Sequence, residues 1–203
     1  MTKTKILTLL MIPVVLFLGY SLYHSVFDTI KESEEIRVSE KNVIRSLKMI
    51  RDAETAYFQR YKEYTASWDT LAMFIDNDSL YNVSKKEIIQ ARTKDDPLYY
   101  TRTDSVRIEY DTIDAIQVRE KIFPVEDFGT FSAAKLKLIP GKNGKEFELS
   151  ADKIKKGNAT VAVIEVVDRF PRDKQRKESN ASPTRRLLKF GSLSEATTSG
   201  NWE

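Results

Sequence analysis

The chain reads as an α+β protein in which an N-terminal transmembrane helix continues into a long amphipathic helix packed on an antiparallel sheet of about four strands. Three observations predict this. Ile6 to Phe27 runs 22 residues without a formal charge. Asp28 to about Tyr64 lacks glycine and proline and carries an apolar stripe at helical spacing. Beyond Asp96-Pro97 the texture changes to short runs rich in valine and isoleucine.

Residues 1–27 form the anchor. A helix of that apolar length spans about 33 Å, close to the roughly 30 Å hydrocarbon core of a bilayer. Lys3 and Lys5 precede it, whereas Asp28, Glu32, Glu34 and Glu35 follow it with only Lys31 and Arg37 among them. The positive-inside bias therefore keeps the N-terminus cytoplasmic. The small pair Gly19 and Ser21 also fits a signal-peptidase site. The apolar run is longer than a signal peptide's usual core and passes directly into a helical pattern, which favours an uncleaved anchor. Pro13 is tolerated in such a helix. His24, the single histidine, reads as an interfacial polar residue rather than a metal ligand.

Composition narrows what the rest can do. With 33 basic and 30 acidic side chains interspersed, there is no case for a nucleic-acid binder. Zero cysteines exclude disulfides, thiol catalysis, cysteine zinc sites and a lipid-bearing cysteine. An external domain of this kind rests on its core alone, which suits a bacterial periplasm. The expected location is thus the bacterial inner membrane, with the bulk of the chain periplasmic.

Residues 28–64 are the stalk and amphipathic helix. Val43, Leu47, Ile50, Tyr57, Tyr61 and Tyr64 make the stripe, with Ile36 upstream and Ile44 and Phe58 widening it; Glu40 and Glu54 fall on the same seam. The width of the stripe favours packing on the chain's own domain, and Asp28 to Asn42 reads as a solvated stalk. Residues 65–190 form the periplasmic α+β domain. Ser67 caps a short helix from Trp68 to Ile75 with Leu71, Phe74 and Ile75 inward, and the polar turn Asp76-Asn77-Asp78-Ser79 ends it. Val83 to Lys94 reads as a further helical turn or two.

Val106, Ile108 and Tyr110 alternate with charge, and Ile113, Ile116, Val118 and Ile122 continue a β-like segment to Pro124. Pro140-Gly-Lys-Asn-Gly, flanked by Leu136, Leu138, Phe147 and Leu149, is the strongest hairpin signal. Thr160 to Val167 reads as a central strand covered on both faces, and Leu187, Leu188 and Phe190 as a last strand. Between them the basic loop 168–186 carries Arg169, Arg172, Lys174, Arg176, Lys177, Arg185 and Arg186. A polybasic patch for lipid headgroups or nucleic acid is one reading; a solvated loop is favoured, since aromatics do not interleave the charges beyond the single Phe170. Residues 191–203 are a polar tail whose Trp202 is placed to dock on the domain or on a partner.

The run Ile50-Arg-Asp-Ala-Glu-Thr-Ala-Tyr57, followed by Tyr61-Lys-Glu-Tyr64-Thr65-Ala-Ser67 and Leu71, resembles the end of the first helix in type IV pilins and type II secretion pseudopilins. That resemblance implies a long helix with an apolar first half and a sheet behind it. Met1 to Leu10 contains neither the glycine nor the glutamate found at the start of those proteins. The chain as a whole, with its KFGSLSEATTSGNWE ending, is also similar to uncharacterised single-pass envelope proteins of Bacteroidetes-type bacteria.

No HExxH, Gly-rich phosphate loop or GxSxG motif is present, and Asp95-Asp96 and Glu126-Asp127 read as surface carboxylates, so an enzyme is not expected. No cofactor and no small-molecule substrate is implied. The expected function is a non-enzymatic, membrane-anchored structural subunit of an envelope or secretion assembly, whose partners are the membrane and other envelope proteins. The alternative is a periplasmic binding or accessory module for peptidoglycan, lipid or a partner protein. Candidate interaction residues are Tyr57, Tyr61, Tyr64, Arg172, Lys174, Arg176, Lys177 and Trp202.

Overall fold

The computed structural model describes residues 3–90, 105–129 and 131–203. The pair Asp95-Asp96 lies outside them. One helix, α1 (Lys3–Tyr61), runs 59 residues from the apolar run to the end of the amphipathic stripe. Among the described residues it is the helix long and apolar enough to cross a membrane, and its apolar part is not buried against the rest of the chain. Leu16 and Phe17 are 68% and 69% exposed. Water would penalise that surface by about 25 cal/mol per Å², and lipid would not.

The opposite end of α1 holds the core. Val43, Leu47, Ile50, Ala53 and Ala56 are buried, and the two alanines let neighbouring elements approach closely. The helix stops at Lys62, whose φ of 60° closes a left-handed cap and whose N–H donates to the Phe58 carbonyl at 2.9 Å. Helix α2 (Trp68–Asn77) begins where Ser67 accepts from the Thr70 N–H, and it buries Leu71, Phe74 and Ile75.

The strands divide between two antiparallel sheets instead of forming one sheet of about four. Strands β1 (Ser79–Gln90) and β2 (Ser105–Gln117) make a two-stranded ribbon. Strands β3 (Glu148–Lys156), β4 (Ala159–Val167) and β5 (Lys189–Gly191) make a three-stranded sheet in that order. The helical expectation for Val83 to Lys94 is corrected as far as Gln90: β-branched Val83, Ile88 and Ile89 pair in a strand, and residues 91–94 lie outside the description. The β-like reading of Val118 to Ile122 is corrected too. These residues form α3 (Val118–Ile122), which tucks Val118 into the core, and α4 (Val125–Phe128) follows.

Pro140 to Gly144 does turn the chain, with Ile139 N–H bonded to the Lys145 carbonyl and Phe147 N–H to the Lys137 carbonyl, both at 2.9 Å. Its ladder, however, is the single bridge Leu138 to Glu146. The long hairpin turns instead at Gly157-Asn158, where Gly157 has φ 64° and Lys156 faces Ala159. Strand β4 is central in its sheet as expected. Its neighbouring pairs Val163-Ile164 and Val166-Val167 are buried, so both faces are covered in its second half. Ile164, Val166 and Phe190 join the α1 stripe, α2 and Val118 in one continuous core.

Candidate interaction surfaces

At the domain end of α1 the Tyr57 and Tyr61 rings lie 4.7 Å apart, and Phe74 of α2 sits 5.1 Å from the first and 6.0 Å from the second. Tyr61 donates its hydroxyl to Asp78 Oδ2 at 2.5 Å, which raises its pKa. Burial raises that of Tyr57, helped by Glu63 and Glu54. Both phenols are therefore neutral at any physiological pH. With Thr70, Met73 and Asn77 they line a groove of about 260 Å³, and Met73 is 59% exposed. Tyr64 is not part of this groove; it stacks on Phe58 at 4.8 Å.

The two glutamates on the apolar seam both have structural answers. Glu54 is 1% exposed; one oxygen accepts from the Thr65 N–H at 3.1 Å and the other has no partner. Burial pushes its pKa up to about 8, against the pull of the Thr65 N–H. Thr65 Oγ1 in turn accepts from Ser67 N–H at 3.1 Å, which positions the cap of α2. A neutral carboxyl thus fixes the turn between the helices.

Glu40 answers to Arg176 in the basic loop. The guanidinium bonds both carboxylate oxygens, and its Nη1 donates to the carbonyls of Thr184 at 2.8 Å and Arg186 at 2.9 Å. Arg172 pairs with Glu35, and Arg169 with Glu148 and Glu178. The segment 168–186 is accordingly a largely exposed strap tied to α1 at Arg172 and Arg176, and the stalk from Asp28 to Asn42 is mostly exposed as expected. Lys174 and Lys177 are exposed and make no ion pair among the described residues. Asp168 anchors the base of the strap: buried, it accepts from the Phe170 N–H at 2.8 Å and lies 3.8 Å from Lys142 Nζ.

Arg176 is the part-buried element of this clamp, and its loss strands the Glu40 carboxylate. Arg176→Ala is expected to cost about 1–3 kcal/mol and to speed trypsin cleavage after Lys174 and Lys177 about tenfold. Unchanged cleavage would show that the strap is held elsewhere.

Trp202 docks on the domain. Its indole packs against the core, and the tail carrying it is stitched to β5 by Asn201 N–H to the Lys189 carbonyl at 3.0 Å and to the residues leading into β5 by Asn201 Nδ2 to the Leu187 carbonyl at 2.7 Å. Arg51 of α1 then holds Glu203 at 2.6 Å.

Sequence reasoning missed two surfaces. A furrow of about 430 Å³ runs beside α1, floored by Met49, Phe128, Phe131 and Leu136 and rimmed by Arg45 and Lys135. The β1–β2 ribbon is the other. Past the bulge at Asn82/Val83, Lys85 pairs Tyr110 and Glu87 pairs Ile108, so these residues share one face with Ile89. Ile89 and Tyr110 are 66% and 69% exposed there, and Leu80 is buried at the ribbon's base. The period-2 alternation of Ile108 and Tyr110 was a visible signal for one strand; its partner was hidden by a mixed pattern. Among the described residues no three His, Asp or Glu side chains gather as a metal site. Compared with protein-family models, with curated proteins and with solved structures, the chain has no match.

Proposed function

We propose that the chain is a non-enzymatic, inner-membrane-anchored structural subunit that holds its domain on the periplasmic side as part of an envelope or secretion assembly. The observation that carries this reading is α1: one 59-residue helix whose apolar half is unpacked and whose other half is the spine of the core. Such a rod transmits the position of the membrane to the domain without a flexible linker. The groove at Tyr57, Tyr61 and Met73 offers exposed apolar contact with hydrogen-bonding edges, the composition favoured at protein interfaces. A photo-crosslinking residue at Met73 or Tyr61 should trap another envelope protein in intact cells. A full-length protein that runs as a free monomer in mild detergent and traps nothing would remove this reading.

A binding or accessory role has one observation in its favour, the furrow between α1 and Phe128, with an apolar floor and two cations on its rim. Arg45→Ala with Lys135→Ala separates the two readings, because ligand retention would fall while assembly stays intact only if the furrow is the functional surface.

A further inference from the structure

We propose that the strap 168–186 is drawn electrostatically toward anionic phospholipid headgroups of the leaflet from which α1 emerges, through Lys174, Lys177, Arg185 and Arg186. This rests on the membrane-anchored reading. The strap's clamp on Glu35 is the first point along α1 at which the domain touches the helix among the described contacts. From Phe27, the end of the apolar run, the helix rises about 12 Å to Glu35 and about 20 Å to Glu40. The headgroup layer occupies roughly the first 5–8 Å of that rise, and the electrostatic reach beyond it is about 8–10 Å at physiological ionic strength. The strap is therefore held just beyond the headgroup layer, with its Glu35 end inside that electrostatic reach, and the usual tilt of a spanning helix lowers one side further.

The fold also separates charge. Arg172 and Arg176 are spent on Glu35 and Glu40, and Glu34 is satisfied by Arg37. Lys174, Lys177, Arg185 and Arg186 are left exposed without an ion pair among the described residues. They outnumber the unpaired Asp28 and Glu32 of the stalk. Close to the bilayer, the surface complementary to that excess is an anionic headgroup layer, and each such cation strengthens contact about fivefold.

The test uses the full-length protein in vesicles of phosphatidylcholine alone and of phosphatidylcholine with 30 mol% phosphatidylglycerol. The chain has no cysteine, so Ser179→Cys carries a single nitroxide, read by its collisions with a nickel-chelating lipid. Headgroup collisions should rise about threefold or more with phosphatidylglycerol and return to baseline in 500 mM salt. K174Q/K177Q/R185Q/R186Q should abolish the response, whereas K174R/K177R/R185K/R186K should keep it. A chain that fails to float with vesicles overturns both the anchor and this proposal. A chain that floats but shows no phosphatidylglycerol response overturns the strap proposal alone, and loss of a co-purifying acidic protein in the glutamine variant would then assign the cations to that partner.

Discussion

Gly191→Ala should collapse the three-stranded sheet. Gly191 combines two demands that no side chain meets together: a φ of +76°, and a Cβ position that would fall 2.0 Å from the Ile164 carbonyl oxygen and 3.0 Å from its carbon. Those are backbone atoms of β4, where Glu165 pairs with Gly191 and Ile164 is fully buried, so β5 cannot retreat without opening the ladder. Positive φ alone costs an alanine about 1–2 kcal/mol. The clash raises the expected loss to roughly 3–5 kcal/mol, or about 6–20 °C in Tm for a domain of this size. Gly157→Ala supplies the control, because it has φ +64° and nothing within 4 Å of the added carbon. Thermal melts of the two variants by circular dichroism separate strain from clash. The loss reaches beyond the sheet, because Gly191 N–H also holds the Ser199 carbonyl at 3.0 Å and so starts the stitching that brings Glu203 to Arg51. A Gly191→Ala protein melting within about 2 °C of Gly157→Ala would refute the argument.

What could be read from residue order alone was whatever is settled within one element. The α1 stripe from Val43 to Tyr57, the Ser67 cap and β4 are set by local period and local hydrogen bonding and are where their spacing puts them, whereas Tyr61 is half-exposed and Tyr64 lies past the end of the helix. The strap is exposed as its composition implies, but its ties to α1 were not legible because they come from partners far away in sequence. Seven cations in a glycine-poor segment look solvated until Arg172 and Arg176 meet Glu35 and Glu40 on a helix more than a hundred residues upstream. The ribbon was missed for a related reason. Its first strand carries Lys85, Lys86 and Glu87 between its apolar residues, a mixture equally at home in a helix, and only the register with β2 decides the matter. Trp202 was legible as an anchor but not as to what it anchors, since that choice needed the Asn201 bonds to β5.

Stability of the wild-type domain should fall as pH rises, and Glu54→Gln should remove that fall. Burial pushes the carboxyl pKa in the folded state up to about 8, from its ordinary value of 4.5. The folded state therefore binds its proton more tightly than the unfolded state does. The resulting stabilisation is complete below about pH 4.5 and is lost as pH climbs through about 8, because ionisation then accompanies unfolding or forces a bare charge into the core. The window from pH 4.5 to about 8 corresponds to roughly 3–5 kcal/mol. The surroundings offer the anion little relief. Thr65 N–H is its one donor, and the second oxygen has none. Tyr57 and Tyr64 are the phenols coupled to it, and their own pKa values are raised as well, first by burial. Glutamine keeps an acceptor for Thr65 and cannot ionise, so the two proteins should be nearly equal at pH 5 and diverge by several kcal/mol at pH 8.5, with the variant the more stable. Denaturation in mild detergent across that range measures this, and parallel pH curves would exclude it. Because Thr65 also sets the Ser67 cap, the same ionisation should loosen the start of α2 and with it the Phe74 wall of the groove at Tyr57 and Tyr61. Partner crosslinking through Met73 should then weaken above pH 8 in the wild type and hold steady in Glu54→Gln.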